Sequence, residues 1–346
     1  MTKQFASDNN AGICPPALAA ILEANAAGHA VGYGDDPWTQ DAKSRLQALF
    51  ECDCDVHFVF NGTAANALAL AQICRPYHAI IAHAFSHVAM DEAGAPGFYS
   101  GGATLRLADE PYAKLTPATV ARLASDSPGV HHVKPAALTL TQATELGTVY
   151  QLEELAALTA IAREYKLKVH MDGARFANAL VHLGCTPAEM SWQVGVDILS
   201  FGGVKNGLGV GEAVLIFEPA LREEFEWRVK QSGQLNSKMR LATAGWCGLL
   251  ESGAWQDNAQ HANVMASRLA DKIANLPGVR ITMPIEANGV FAELPVAAQA
   301  QLREKGWSFY TFRPPLECRF MCAWDMDEIT VDRFAADLAT ALKTSD

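Results

Sequence analysis

Two stretches decide the fold, LKVHMDGAR at residues 167–175 and DILSFGGVKNG at residues 197–207. Each begins as a short apolar run and ends in glycines, the pattern of a buried strand that leads into a tight turn. Asp172 and Arg175 follow the first strand, and Lys205 follows the second. In open α/β sheets, groups at the carboxyl ends of neighbouring strands converge on one crevice. The sequence therefore predicts that a carboxylate and a lysine approach one ligand from two sides.

This pair is what pyridoxal phosphate requires of a protein. The cofactor needs a lysine amine for its Schiff base and an anion beside its ring nitrogen, so that the ring stays protonated and accepts the electrons of a carbanion. We predict these roles for Lys205 and Asp172, and we expect the glycines beside Lys205 to let the backbone approach the flat ring. The competing interpretation is that both are ordinary solvated loop charges.

The rest of the chain predicts an α/β protein. Strand and helix patterns alternate up to Phe217, which is typical of a mostly parallel sheet sandwiched by helices. Short strands and helices after that point predict a small C-terminal α+β domain. We divide the chain into an N-terminal arm (1–15), a large cofactor-binding domain (16–245) and a small domain (246–346).

Composition limits the classes of function. The 346 residues carry a net charge of −11, which argues against a nucleic-acid partner. No apolar run approaches the roughly 18 residues that a membrane-spanning helix needs, so we expect no membrane contact and a cytoplasmic location. The eight cysteines are scattered through the chain and favour reduced, mostly buried thiols over a disulfide framework.

Two loops are candidates for ligand contacts. Asn61, Gly62 and Thr63 follow a predicted strand and open an alanine-rich helix, where free backbone N–H groups and the helix dipole favour a phosphate. Asn-Gly is equally typical of a hairpin turn. Tyr33 lies in a glycine loop that either lines a pocket or is a solvated turn.

A metal site is the rival hypothesis. His83, His87 and Asp91 recur at every fourth position and could ligate a metal from one helix. A metal there leaves the placement of Asp172 and Lys205 unexplained, so we favour pyridoxal phosphate.

Several separated motifs carry a resemblance that spans nearly the whole chain. In order along the sequence they are YGDDPWT (33–39), FNGTAAN (60–66), SHVAMDEAGAP (86–96), HMDGAR (170–175), FGGVKNG (201–207) and CRFMCAWD (318–325). With these motifs the sequence resembles the low-specificity L-threonine aldolases, fold-type I pyridoxal phosphate enzymes of the β-eliminating lyase superfamily. It is most similar to the branch that also accepts phenylserine. The resemblance implies reversible cleavage of L-β-hydroxy-α-amino acids such as L-threonine and L-allo-threonine to glycine and an aldehyde.

The resemblance also implies roles for single residues. Lys205 would hold the cofactor covalently, Asp172 would pair with the ring nitrogen, and Arg175 would lie near the ring hydroxyl and the substrate. Of the others, Gly62 and Thr63 would cradle the phosphate, His87 would stack on the ring, and Ser7 and Arg319 would clamp the substrate carboxylate. From its glycine loop alone, we also count Tyr33 among the candidate substrate contacts.

The group that takes the β-hydroxyl proton is the least determined role. The resemblance implies that His131 lies near the β-hydroxyl, and the candidates for the base are His131, His87 and Asp91. We favour His131, directly or through water, because an imidazole is largely neutral at pH 7 and able to accept a proton; a water held by the cofactor phosphate is the next candidate. Asp91 stands where many similar sequences have tyrosine, so we expect it to orient the hydroxyl or to set the substrate preference.

A basic segment implies an oligomer. Lys230 and Arg240, with Lys238 as a possible equivalent, match residues that reach a neighbouring subunit's site, which implies a homodimer or homotetramer with shared active sites. The alternatives that remain open are another pyridoxal phosphate reaction on the same fold, such as β-elimination or transamination, and a catalytically idle regulatory relative.

Overall fold

The computed structural model describes residues 4–127 and 129–343. Within them, a seven-stranded sheet forms the centre of the protein. Its strands are β1 (Asp55–Val59), β2 (His78–His83), β3 (Thr104–Ala108), β4 (Lys134–Thr141), β5 (Lys168–Gly173), β6 (Ile198–Phe201) and β7 (Glu212–Ile216).

The sheet is mostly parallel, as the sequence predicts. Its strand order is β1-β7-β6-β5-β4-β2-β3, and the neighbours from β6 to β3 all pair in parallel. Only β7 runs the other way, antiparallel to both β1 and β6. Strands β1, β2, β4, β5 and β6 therefore end at the same edge, and the loops that leave them can meet there.

Helices cover the sheet, and side chains cap the starts of several of them. Thr116 caps the helix that starts at Pro117 by accepting a hydrogen bond from Thr119 N, and Asn61 caps the alanine-rich helix through Ala64 N. These side chains satisfy N–H groups that have no partner inside the helix. The helices of this part are α1 (Pro15–Ala26), α2 (Pro37–Leu49), α3 (Gly62–Ile73), α4 (His87–Met90), α5 (Ala95–Tyr99), α6 (Pro117–Ser125), α7 (Leu152–Glu164), α8 (Phe176–Leu183), α9 (Phe225–Gln231) and α10 (Arg240–Glu251), with short 3-10 turns at Asp8–Asn10, Pro111–Ala113, Val204–Asn206 and Pro219–Leu221.

The C-terminal part is a second layer of helices on an antiparallel sheet. It comprises α11 (Ala254–Ile273), β8 (Arg280–Ile281), β9 (Gly289–Glu293), α12 (Val296–Glu304), β10 (Tyr310–Arg313), β11 (Glu317–Met321) and α13 (Glu328–Lys343). The strand order is β10-β11-β9-β8.

The N-terminal segment packs into this C-terminal layer. Phe5 is fully buried, and its ring centroid lies 4.9 Å from that of Phe334. Its backbone binds Ser308 O and Met321 N at 2.9 and 2.8 Å. The predicted arm is irregular, and these contacts show that it is anchored to the distant end of the chain.

The predicted domain boundary at Gly245 falls inside α10, where the residue is buried. The next helix, α11, contributes Trp255 and Ala259 to the core beneath the large sheet and Met265 and Ile273 to the C-terminal core. The division into an arm and two domains stays a prediction, with α11 joining the two cores. None of the described helices combines the length and the apolar character that crossing a membrane requires.

Candidate active site

Asp172 lies at the carboxyl end of the central strand β5. It pairs in register with Thr141 on β4 and with Ser200 on β6, and it is only 3% exposed. Its Oδ1 accepts a hydrogen bond from Ala174 N at 3.0 Å, and its Oδ2 accepts one from Asn66 Nδ2 at 2.9 Å. Hydrogen bonds that favour the charged form hold a buried carboxylate ionised, so these two donors suit an anionic role.

Lys205 lies in the 3-10 turn that follows β6, at the same edge of the sheet. The buried carboxylate of Glu212 holds this turn, since its Oε2 accepts hydrogen bonds from Gly203 N at 2.5 Å and Val204 N at 3.3 Å. Burial raises the pKa of Glu212, and the two backbone donors and the positive charge of Lys205 oppose that rise. The ammonium of Lys205 forms no ion pair with any residue in the described part of the chain.

The two glycines before Lys205 allow close packing, and their role in the approach to the ring stays a prediction. A Cβ on Gly202 would lie 2.5 Å from Ala174 O, and a Cβ on Gly203 would lie 2.6 Å from the indole of Trp246. Neither distance is tolerable, so the absence of side chains lets the Lys205 turn press against the Asp172 loop and against α10.

A hydrogen-bonded network connects Asp172 to His87. The Nδ1 of His87 lies 2.8 Å from Glu92 Oε1, and Asn66 Nδ2 donates to the same oxygen at 2.8 Å. The hydrogen bond with Glu92 raises the pKa of His87, with a smaller contribution from the charge of Asp172. The side chain of His87 is about one-third exposed, whereas that of Glu92 is fully buried. Glu92 therefore holds the imidazole through its buried Nδ1 side.

The helical metal site is wrong. His83 is the last residue of β2, and His87 begins α4 four residues later, so no helix joins His83, His87 and Asp91. Both nitrogens of His83 are occupied, since Nδ1 accepts from Phe85 N at 3.0 Å and Nε2 binds Glu110 O at 2.9 Å. In the described residues, the group with metal-ligand spacing is instead His87, Glu92 and Asp172, which the network above already connects.

Arg175 is held by a residue that the sequence did not single out. Its Nε and Nη2 donate to Asp8 Oδ2 and Oδ1 at 2.7 and 3.0 Å, and Asn288 Nδ2 donates to Asp8 Oδ2 at 3.0 Å. Burial of Asp8 acts to raise its pKa, but the charge and hydrogen bonds of Arg175 outweigh it and hold the pKa at about 2. The pair therefore fixes the guanidinium of Arg175 beside the Asp172 loop.

Arg319 approaches from β11 of the C-terminal sheet. Its guanidinium lies 5.2 Å from the ring centroid of Tyr310 and 5.6 Å from that of Phe312, and Nη2 donates to Ala6 O at 3.4 Å. The buried Nε has no hydrogen-bond partner among the described residues. Burial and the nearby charge of Arg175 lower the pKa of Arg319. A partly buried cation with a buried, unused donor suits a carboxylate partner.

The residues on either side of Ser7 bind the two arginines. Ser7 follows Ala6, which binds Arg319, and precedes Asp8, which binds Arg175. Its hydroxyl caps the short turn Asp8–Asn10 through Asn9 N at 3.2 Å. The structure therefore brings Ser7 near Arg175 and Arg319, and the role of the three in binding a carboxylate stays a prediction.

Gly62 and Thr63 begin α3 at the same edge of the sheet, beyond β1. The side chain of Asn61 occupies Ala64 N at 2.9 Å, whereas the N–H groups of Gly62 and Thr63 bind nothing within residues 4–127 and 129–343. The space beside Gly62 is open, because a Cβ built there would meet no atom within 4 Å.

The comparisons with known proteins agree with this geometry. The beta-eliminating lyase family model matches residues 4–296. The low specificity L-threonine aldolases of a Pseudomonas species (strain NCIMB 10558) and of Pseudomonas aeruginosa are 51% and 52% identical to the chain, over 99% and 97% of it and over 98% and 97% of their own lengths. This chain belongs to the beta-eliminating lyase family. A solved threonine aldolase from Leishmania major is 28% identical, with a TM-score of 0.93, and the match covers 98% of this chain and 99% of that one.

Pyridoxal phosphate is the cofactor of this beta-eliminating lyase, and the residues fit it. The amine of Lys205 forms no ion pair with a carboxylate of the described residues. Asp172 provides a buried carboxylate at the end of the neighbouring strand. Open space and two free N–H groups at Gly62 and Thr63 suit a phosphate. The buried Nε of Arg319 is left for an acidic group of the substrate.

His131 does not belong to this site within the chain. It is exposed in the loop that precedes β4, whereas the site lies where β4 ends, because Thr141 pairs with Asp172. At about 3.3 Å per residue, the length of β4 separates the two by roughly 20 Å or more. Within one chain His131 therefore lies away from the crevice, and the prediction that it removes the hydroxyl proton stays open only for a site shared between subunits.

The remaining candidates lie away from the Asp172 network. The Nζ of Lys230 lies 4.7 Å from the ring centroid of Tyr33, and Tyr33 N donates to Ser237 O at 3.3 Å. Arg240 donates to Gly28 O at 3.0 Å, and the side chain of Lys238 is exposed. These contacts group Tyr33 with the basic segment and not with Lys205, so their roles in this beta-eliminating lyase stay predictions. Asp91 is an exposed residue at the end of α4.

Three residues of the site escaped the sequence reasoning. Asn66 binds Asp172 across 106 positions, and Asp8 binds Arg175 across 167. Glu92 lies in the same motif as His87, but its burial cannot be read from the local pattern. One signal for Asn66 was available in the sequence. It lies one helical turn after Gly62, so the two residues share a face of the predicted helix.

Proposed function

We propose that this protein is a pyridoxal phosphate-dependent aldolase that cleaves L-β-hydroxy-α-amino acids, including L-threonine and L-allo-threonine, to glycine and an aldehyde. The observation that carries the proposal is that Lys205 and Asp172 lie at one edge of the large sheet, with Arg319 approaching that edge from β11. The chain is also 51% identical to a low specificity L-threonine aldolase. The first two residues suit the cofactor, and the third suits an amino-acid carboxylate.

The cofactor is held from several elements. Lys205 would bind it covalently, the N–H groups of Gly62 and Thr63 would hold its phosphate, and His87 would cover one face of its ring. Asp172 would keep the ring nitrogen protonated, and Asn66 Nδ2 and Ala174 N donate hydrogen bonds to its carboxylate. When bound, pyridoxal phosphate supplies an electron sink for the carbanion that forms at Cα.

Arg319 and its neighbours select the bond that breaks. Only the bond perpendicular to the cofactor ring overlaps its π-system, so the group that fixes the carboxylate also sets which substituent of Cα is perpendicular. Arg319 is a planar fork suited to two-point carboxylate binding, and Tyr310 and Phe312 restrict its orientation. Ser7 and Arg175 lie beside it and complete a polar subsite for the carboxylate.

Two further assignments belong to this proposal. Exposed Asp91, next to the buried Glu92, sets the preference between threonine and the bulkier phenylserine. Lys230, Lys238 and Arg240, with Tyr33, reach the site of a neighbouring subunit in a homodimer or homotetramer, and the protein works in the cytoplasm. The exposure of Lys230 and Lys238 supports a role outside their own chain.

The test begins with the purified wild-type protein. We expect it to be yellow, to bleach with borohydride, and to carry the reduced cofactor on Lys205 in a peptide map. Threonine should yield glycine with acetaldehyde, and phenylserine glycine with benzaldehyde. Release of pyruvate and ammonia from serine, without aldehyde from threonine, would indicate β-elimination instead. A colourless protein without aldehyde release contradicts the proposal.

A further inference from the structure

A tight turn follows β4 at the edge of the sheet where Asp172 lies. Thr144 N donates to Thr148 O at 2.9 Å, and Gly147 N donates to Thr144 O at 2.9 Å. The hydroxyls of Thr144 and Thr148 lie 2.6 Å apart, and Thr148 Oγ1 also donates to Tyr112 O at 2.6 Å. Buried Leu146 packs in a cluster with Phe291 of the C-terminal sheet. The turn is therefore held by Tyr112 of the large domain and by Phe291 of the C-terminal sheet.

Glu145 is the partly exposed residue of this otherwise buried turn. Its negative charge acts on residues from three different elements: it raises the pKa of His87 and of Arg175, and it opposes the burial that lowers the pKa of Arg319. The same turn lies beside the carboxylate subsite, because Leu146 packs in one cluster with Phe291 and Phe312, and the guanidinium of Arg319 lies over the ring of Phe312. The partly exposed Glu145 is therefore close to both the cofactor residues and the carboxylate subsite.

The other carboxylates around the crevice are occupied. Asp8 binds Arg175 and Asn288, Asp172 binds Asn66 and Ala174 N, and Glu92 binds His87 and Asn66. Glu212 holds the backbone of the Lys205 turn. Glu145, in contrast, makes no hydrogen bond or ion pair with any residue from Gln4 to Lys343 that the structure describes, so its oxygens are available to a substrate.

We propose that Glu145 accepts the proton of the substrate's β-hydroxyl during cleavage, an inference that rests on the proposed aldolase function. One carboxylate oxygen of Glu145 takes the hydroxyl proton, and the electrons of that O–H bond form the aldehyde carbonyl. The Cα–Cβ bond breaks and leaves its electron pair on Cα, where the bound cofactor would supply the electron sink. A proton then returns to Cα to give glycine, so the step needs no other reactant.

The position of Glu145 suits this role better than that of the histidines. In a β-hydroxy amino acid the hydroxyl lies only a few bonds from the carboxylate, so its base must lie near the residue that binds the carboxylate, and the charge of Glu145 acts on Arg319. His87 is committed through Nδ1 to Glu92, which favours its protonated form, and His131 lies at the opposite end of β4.

The kinetic test compares Glu145→Gln with Glu164→Gln, a matched change at an exposed glutamate at the end of α7, away from the crevice. Loss of a general base typically lowers a rate about 10²- to 10⁴-fold. We expect that loss in kcat for threonine cleavage with Glu145→Gln only. Exchange of the glycine α-proton with deuterium involves no β-hydroxyl and should remain at the wild-type rate. Unchanged cleavage, or equal losses in cleavage and exchange, overturns the proposal.

A second measurement needs neither cofactor nor turnover. In cofactor-free protein with labelled histidine rings, NMR titration should show that Glu145→Gln lowers the pKa of His87, assigned with His87→Asn, while Glu164→Gln leaves it unchanged. An unaffected His87 would mean that Glu145 does not face the crevice, and it overturns the proposal. A wild-type protein that releases no aldehyde contradicts the aldolase function itself, whereas an active wild type with an equally active Glu145→Gln variant contradicts only the role of Glu145.

Discussion

Asp8 and Arg175 form a buried two-point ion pair although 167 positions separate them in the chain. The side chains are 1% and 9% exposed, so water screens the pair little. The pair connects the N-terminal segment to the loop after β5, and Asn288 of the C-terminal layer binds the same carboxylate. Three parts of the chain therefore meet at the edge of the crevice.

Asp8→Asn should lower stability and change its dependence on pH. The pKa of the Asp8 carboxyl is about 2 in the folded protein, whereas its ordinary value, which applies to the unfolded chain, is 3.8. A lowered folded pKa stabilises the protein above the unfolded value, and this stabilisation is lost as pH falls from about 4 towards 2. The shift corresponds to about 2 kcal/mol, and an uncompensated Arg175 adds to the cost of the substitution.

Urea unfolding of cofactor-free protein between about pH 2 and 6 measures this effect. The difference in unfolding free energy between wild type and Asp8→Asn should shrink as the solution becomes acidic. Asp332→Asn is the control: its pKa is also about 2, but its pair with Arg268 is partly exposed, so that solvent screens the pair and it should contribute little. A difference that stays constant over this range for Asp8→Asn contradicts the assignment.

Lys205→Ala should abolish covalent attachment of the cofactor and nearly all turnover, because both the tether and a nearby amine are lost. Absorption of the bound cofactor and aldehyde release report the two effects. The fold should survive, since Lys205 makes no ion pair with the described residues. A variant that cleaves threonine near the wild-type rate would contradict the proposed function.

Asp172→Asn should retain the fold and lose most of the rate. An amide no longer favours a protonated ring nitrogen, and its NH₂ group must compete with the donors Asn66 and Ala174 N. Steady-state kinetics and thermal unfolding separate the two consequences. If the loss of rate merely followed a loss of folded protein, Asp172 would have a structural role only.

Arg319→Ala should raise KM for threonine far more than the dissociation constant of the cofactor, because its unpaired donor is assigned to the substrate carboxylate. Arg303→Ala is a matched control, since that guanidinium also stacks on an aromatic ring, Phe309, at 4.5 Å but lies on α12. Calorimetric cofactor binding and steady-state kinetics are the measurements. Equal weakening of substrate and cofactor binding would indicate that Arg319 only supports packing.

His131→Asn should leave kcat unchanged, because the residue is exposed at the amino end of β4 while the crevice lies at its carboxyl end. Kinetics with threonine at several viscosities would establish that product release does not hide an effect. A fall in kcat by the factor typical of a lost general base, about 10²-fold or more, would show that His131 reaches a site in another subunit.

Much of the fold could be read from the sequence, because its signals are local. Runs such as residues 167–171 read as strands by composition, and Thr116-Pro117 and Asn61 mark helix starts by their chemistry. Strand and helix alternation then implies a parallel sheet. Asp172 and Lys205 were identifiable for the same reason, since each stands directly after a recognisable strand, and parallel strands end at one edge.

Tertiary structure alone decided which side chains complete the crevice. Nothing local distinguishes Asp8 from a solvated acid in an irregular arm, and its role depends on the anchoring of Phe5 in the C-terminal core. His131 and Glu145 precede and follow the same strand, so their functions depend on which end of β4 faces the site, and the pairing of Thr141 with Asp172 determines that. Periodicity and composition report the burial of neighbouring residues, whereas partners separated by 100 or more positions are set only when the whole chain packs.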